Sequence, residues 1–203
     1  MAVGIIATVS NGPLSPSQQH EFAAADDRAS KVRKAAAVAA FNGWVTGILA
    51  ACSAPFALFS LPGFLVTAGL TLVAYNEFKG RRRLLQFDRD AAAFLGWNQI
   101  GFLALIISYC VWMLAAGLTS EGPFAAEVRA KPELRMAFDS VGEFDQLYRT
   151  LVAAAYGTVI ALSVIFQGLN SLYYFTRRKH VTAYVQNTPA WVRNLHRKPS
   201  SDF

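Results

Sequence analysis

Charged side chains are scarce here: Asp, Glu, Lys and Arg make up 16% of 203 residues, while hydrophobic residues make up 54%. An average soluble domain carries roughly 25% charged residues, so the shortage points to a membrane before any segment is inspected. Histidine is sparse as well. His20, His180 and His196 all fall outside the long apolar stretches, which argues against a haem held by axial histidines between helices. The two cysteines, Cys52 and Cys110, form no C-x-x-C. A redox pair or zinc site therefore has no support, and both read as small apolar packing residues. The H-E-x-x-H, G-x-S-x-G, Walker and G-x-G-x-x-G patterns are missing, as are paired carboxylates within an apolar stretch. No catalytic chemistry, cofactor or metal is expected on those grounds. Residues 1–10 are uncharged and too short to span, and they lack the basic leader and cleavage site of a signal peptide. No glycine follows Met1, so N-myristoylation is not indicated. Pro13 and Pro16 among Ser and Gln residues read as a flexible stretch.

What the chain does have is long runs without a single Lys, Arg, Asp or Glu: residues 35–76, 91–118 and 150–176. A helix of ~20 apolar residues crosses the hydrocarbon core of a bilayer. Residues 35–76 number 42, about twice that length, and so read as two spans folded back on each other. The expected fold is an all-α integral membrane protein, a four-transmembrane-helix bundle with spans near 35–59, 64–77, 91–118 and 150–176. Residues 1–34 form an N-terminal segment, 119–149 an outer loop and 177–203 a basic tail. Ser60-Leu61-Pro62-Gly63 suits a type II turn, in which glycine takes the positive φ. Pro55 should end or kink the first span.

The basic residues set an orientation. Four lie in the N-terminal segment, five between spans two and three, and six in the tail, while the first turn has none. The loop 119–149 has four, outnumbered by six acids. Positive residues concentrate on the cytoplasmic side, so both termini are expected there, in a plasma or inner membrane. The net charge of +6 follows from the same bias and does not call for nucleic acid. The two halves also echo each other. Phe41-Asn42-Gly43-Trp44 opens span one and Phe94-Leu95-Gly96-Trp97 opens span three. Phe78 and Phe175 each precede a basic cluster. Two repeated hairpins would produce this, and so would the general placement of Trp and Arg at membrane interfaces.

Small residues at four-residue spacing allow helices to approach closely in lipid. Gly43, Gly47 and Ala51 in span one and Ala153, Gly157 and Ala161 in span four form two such stripes, which are expected to meet. Gly157→Leu should then disrupt the bundle. Asn42, Asn76, Asn98, Gln99, Gln167 and Asn170 form a layer of amides near the cytoplasmic ends, with Glu77 at its edge. Such groups face one another because lipid cannot satisfy them. They can act as interhelical glue or line a polar vestibule. Glu77, two residues from Lys79, reads as a solvated interfacial acid. Lys79, Arg81, Arg82, Arg83, Arg177, Arg178 and Lys179 lie where anionic lipid headgroups would meet them. In the tail, Thr188 and Pro189 can start a short helix with Trp191, Val192 and Leu195 on the face laid against the inner leaflet. Ser140 to Glu143 fits a capping box for helix four, and Phe124, Val128, Leu134, Met136 and Phe138 give the outer loop an apolar face.

The reading that follows is a non-enzymatic multi-pass protein, a structural or accessory subunit that packs against copies of itself or a larger complex. The rival is a small transporter or channel acting as an oligomer.

Overall fold

The computed structural model describes residues 14–120, 127, 130 and 141–197. The capping box at Ser140 and the apolar residues Phe124, Val128, Leu134, Met136 and Phe138 lie outside these, as does Lys198. Among the described residues the chain forms five helices and no strand: α1 (Pro16–Ala57), α2 (Leu61–Leu85), α3 (Ala91–Thr119), α4 (Val141–Asn187) and α5 (Ala190–Arg197). α1, α3 and the Glu143–Asn187 part of α4 are long and apolar enough to cross a membrane. α2 is not in that class, because Asn76, Glu77 and the basic run enter it early.

Helix α1 begins earlier than the sequence suggested. The Ser15 hydroxyl accepts from the Gln18 N–H, the Gln18 side chain accepts from the Ser15 N–H, and Pro16 occupies the first turn. This is a complete capping box with a helix-starting proline. Residues 16–34, expected to belong to a partly flexible N-terminal segment, are the first part of a 42-residue helix. At 1.5 Å per residue that helix is about 63 Å long and outreaches a bilayer. At its far end Pro55 is accommodated within the helix, which stops two residues later. The turn is also displaced. It is formed by Leu58 and Phe59, Ser60 caps α2 by accepting from the Gly63 N–H at 3.1 Å, and Pro62 already sits in the first helical turn. Gly63 has no positive φ. Glycine is needed there because a Cβ would collide with the Phe56 carbonyl.

The four long helices are neighbours in ring order, α1 with α2, α2 with α3, α3 with α4, and α4 with α1. Each neighbouring pair runs antiparallel, since contacts climb one helix as they descend the other. Gly43 meets Phe78 and Gly47 meets Ala74; Gly69 meets Leu105 and Gly80 meets Leu95. Gly96 meets Phe175 and Gly117 meets Val152. Asn42 bonds Tyr174, and the Arg28 guanidinium donates to the Asn187 carbonyl at 2.5 Å and to the Thr188 hydroxyl at 3.2 Å.

Packing is concentrated at the end that carries the basic clusters. There Ala29, Val32, Ala36 and Ala39 of α1 share one buried cluster with Leu84, Leu95, Tyr174, Val181 and Tyr184. Toward the other end, Leu49, Val66, Leu70, Phe102, Tyr156 and Val159 surround an apolar cavity of about 300 Å³ bordered by all four helices. This arrangement overturns the expected meeting of the two small-residue stripes. Gly43 and Gly47 face α2, Ala51 is exposed, and Ala153, Gly157 and Ala161 point outward, with nothing within 4 Å of a Cβ at Gly157. The α1–α4 contact uses alanines earlier in α1, where the two helices are close enough for such residues to matter. Of the cysteines, Cys110 is buried and Cys52 is exposed, so only the former packs as expected.

The turn between α2 and α3 is held by polar contacts. Phe87 adopts φ 56°, uncommon for a bulky residue, and stacks on Tyr184 with ring centroids 3.9 Å apart. Asp88 accepts from the Asp90 N–H at 3.0 Å and from Arg83 Nε at 2.7 Å. The backbone bond first, then the guanidinium, hold its carboxyl below the ordinary Asp value. Its contribution is present above the unfolded-state pKa and fades as pH falls through the lowered folded-state value. The tail helix differs from expectation in the face it buries. Val192 is fully buried, Leu195 is 54% exposed and His196 Nδ1 pairs with the Tyr184 hydroxyl at 2.8 Å. α5 thus docks on the protein through Val192 and His196, a face offset from the expected Trp191–Val192–Leu195 stripe.

The contrast between two glycines provides a test. Gly80→Val would drive its Cβ into Leu95 and should cost about 1–3 kcal/mol through overpacking. Gly157→Leu, on an open face, should leave the melting temperature of the monomer in detergent unchanged.

Candidate functional site

The centre of the molecule is one carboxyl group. Successive helical residues turn by about 100°, so Glu77 and Lys79 point to nearly opposite sides of α2. Lys79 is exposed, while Glu77 is fully buried. Proximity in sequence to Lys79 and the arginines suggested a solvated interfacial acid; the helix turns it inward instead. Asn98 Nδ2 and Gln99 Nε2 donate to Glu77 Oε1 at 2.7 and 2.8 Å. The Tyr174 hydroxyl donates to Oε2 at 3.1 Å and accepts from Asn42 Nδ2 at 3.2 Å. Asn76 Nδ2 donates to Asn98 Oδ1 at 3.1 Å, and Asn98 Nδ2 also reaches the Val73 carbonyl at 3.2 Å. One acid on α2 is therefore connected to α3, α4 and α1.

Five members of the expected polar layer come together: Asn42, Asn76, Glu77, Asn98 and Gln99. Gln167 and Asn170 are half-buried on α4 and contribute no side-chain bond to it. Two buried amide oxygens, Gln99 Oε1 and Gln167 Oε1, have no partner among the described residues. Tyr174 was overlooked as a member, because an aromatic residue near a basic cluster reads as interfacial. Its spacing from Gln167 and Ser171, seven and three residues, places all three along one face of α4 and was the available signal. Ser171 Oγ donates to the Gly96 carbonyl at 3.2 Å, which fixes that face against α3.

The F-x-G-W echo has a counterpart in space. A Cβ at Gly43 would lie 3.1 Å from Phe78 Cζ and 3.2 Å from Glu77 Cβ, and a Cβ at Gly96 would lie 2.9 Å from Phe175 Cε1. Trp44 meets Phe78 edge-on at 5.7 Å, and Trp97 meets Phe175 edge-on at 6.0 Å. In each hairpin a glycine and a tryptophan receive the phenylalanine of the paired helix. The residue just before that phenylalanine enters the polar core, Glu77 in one hairpin and Tyr174 in the other, and the two are bonded.

No family model, curated protein or solved structure matches this chain. Among the described residues no three His, Cys, Asp or Glu side chains gather as metal ligands. Of the candidate headgroup residues, Lys79 and Arg83 lie over the Phe94 ring at 5.9 and 5.2 Å, and Arg177 lies over Tyr173 at 4.6 Å. Arg81, Arg82, Arg178 and Lys179 are exposed. Chemically, the network around Glu77 can hold four helices in register.

Removal of the shared acceptor should be the most damaging change. Glu77→Ala strands three donors, each worth about 1–3 kcal/mol when left unpaired in a buried site. Glu77→Gln keeps an acceptor for Asn98 and Gln99 and can donate to Tyr174. The expected order of melting temperatures in detergent is wild type close to Glu77→Gln, then Tyr174→Phe, then Glu77→Ala. A Glu77→Ala protein as stable as wild type would remove Glu77 from the centre of the assembly.

Proposed function

We propose that this protein is a four-span membrane bundle of two hairpins, with both termini in the cytoplasm of a plasma or inner membrane. In this reading α2 crosses as the returning arm of a hairpin with α1, where Asn76 and Glu77 are bonded by neighbouring helices. The protein serves as a non-catalytic structural or accessory subunit that packs against copies of itself or a larger membrane assembly. The observation that carries this reading is the set of bonds between helices at Glu77, which is fully buried and accepts from three donors on α3 and α4. Polar groups spent on one another act as glue between helices. The outward-facing Ala153, Gly157 and Ala161 add a smooth face on α4 suited to close approach by another helix. The basic clusters face anionic headgroups on the cytoplasmic side.

A second reading, a small transporter or channel acting as an oligomer, draws on the unpartnered Gln99 Oε1 and Gln167 Oε1. Buried amide oxygens without partners are where water or a solute would be received. Cysteines placed at Asn98 and Gln167 separate the two readings. Protection of both from a water-soluble thiol reagent supports glue, and labelling of both supports transport. A native mass spectrum of gently extracted protein should contain a homo-oligomer or a defined complex. A strictly monomeric species would count against the subunit role.

A further inference from the structure

The faces of α2 and α3 that turn toward lipid enclose a groove of about 420 Å³. On α2 the residues at 69, 72, 76, 79 and 83 follow helical steps of three and four and share one face. The chemistry changes along this face in a definite order. At the deep end Gly69, Leu72, Gly101 and Leu105 line an apolar trough, and Gly101 has nothing within 4 Å of a Cβ. In the middle lie Asn76 and Asn98, beside the exposed indole of Trp97. At the outlet the Phe94 ring is flanked by Lys79 Nζ and the Arg83 guanidinium. Lys79 has no ion pair among the described residues, and the Arg83–Asp88 bridge uses Nε at 2.7 Å. Gly69 to Arg83 spans ~21 Å along the helix, close to the depth of one leaflet.

We propose that this groove is a specific site for one anionic phospholipid of the leaflet at the basic end. The apolar trough takes an acyl chain, the half-buried Asn76 amide and the indole meet the glycerol ester region, and Lys79 and Arg83 take the phosphate. The order of the three zones matches the order of the three parts of such a lipid. The cations at the outlet favour an anionic headgroup over a zwitterionic one. A partner's transmembrane helix would fill the trough but would bring no anion to Lys79 and Arg83 as a matter of course. The site goes beyond general attraction of basic residues to a charged surface, because it requires groove shape and headgroup charge together. It rests on the membrane placement of α2.

The test is native mass spectrometry of the full chain after detergent exchange in equal amounts of dioleoylphosphatidylglycerol and dioleoylphosphatidylcholine. Wild type should retain one phosphatidylglycerol in preference to phosphatidylcholine. Lys79→Glu should lower that retention by about tenfold. Arg81→Glu makes the same change of charge on the opposite side of α2 and should leave it intact. Gly101→Leu sets its Cβ in open space and its side chain in the trough, and should lower retention of lipid with either headgroup. Equal losses in Lys79→Glu and Arg81→Glu would reduce the effect to surface charge and overturn the site. Equal retention of the two lipids by wild type would do the same. A co-purifying protein chain released by Gly101→Leu would give the groove to a partner helix instead. Retention of neither lipid by wild type would overturn the site, whereas labelling of a cysteine placed at Leu72 by a water-soluble thiol reagent in membranes would overturn the placement of α2 on which it rests.

Discussion

A carboxyl group among apolar helices has to be given hydrogen bonds by whatever surrounds it, and in this protein that requirement fixes where four helices meet. Glu77 receives donors from α3 and α4, and through Tyr174 it is tied to Asn42 of α1. Apolar contacts in lipid have little preference for one register over another, because a tail is as good a neighbour as a leucine. Hydrogen bonds to a buried acid do have such a preference, since sliding any of these helices by one turn would strand a polar group. The glycines beside the network make the required approach possible. Gly43 lets α1 lie against Glu77 and Phe78, and Gly80 leaves room for Leu95.

Around this centre the packing of the helices is unequal from end to end. The basic end is packed with alanines and large aromatic residues, and the docked tail helix adds to it. The opposite end borders an open apolar pocket and leaves the small-residue face of α4 uncovered. Local opening follows where apolar contacts are few, so the two ends differ in stiffness. The better-packed end is the one that carries the basic clusters.

The apolar runs were legible because hydrophobic length is a one-dimensional property, and α3 begins and ends close to the run that foretold it. Helix partners were not legible. Small residues at four-residue spacing say that a face permits close approach, and nothing about which helix arrives there; Gly43 and Gly47 served α2 while Gly157 met nothing. The turn after Phe59 was misplaced by reading Pro62-Gly63 as a turn signal, when the same residues suit a helix start behind a serine cap. Five members of the polar layer were recognised from residue type and depth. Glu77 was placed on the wrong side because neighbours in sequence were treated as neighbours in space. Tyr174 was missed because its ring and its hydroxyl suggest different environments.

Arg28 near the start of α1 is bonded to the corner at Asn187 and Thr188, 159 and 160 residues later. The chain is made in the opposite sense to the way this end is closed. When α1 leaves the ribosome, the face carrying Ala29, Val32 and Ala36 has no partner, and its cluster is complete only after Val181 and Tyr184 have been synthesised. The first helix produced is thus among the last to be completed.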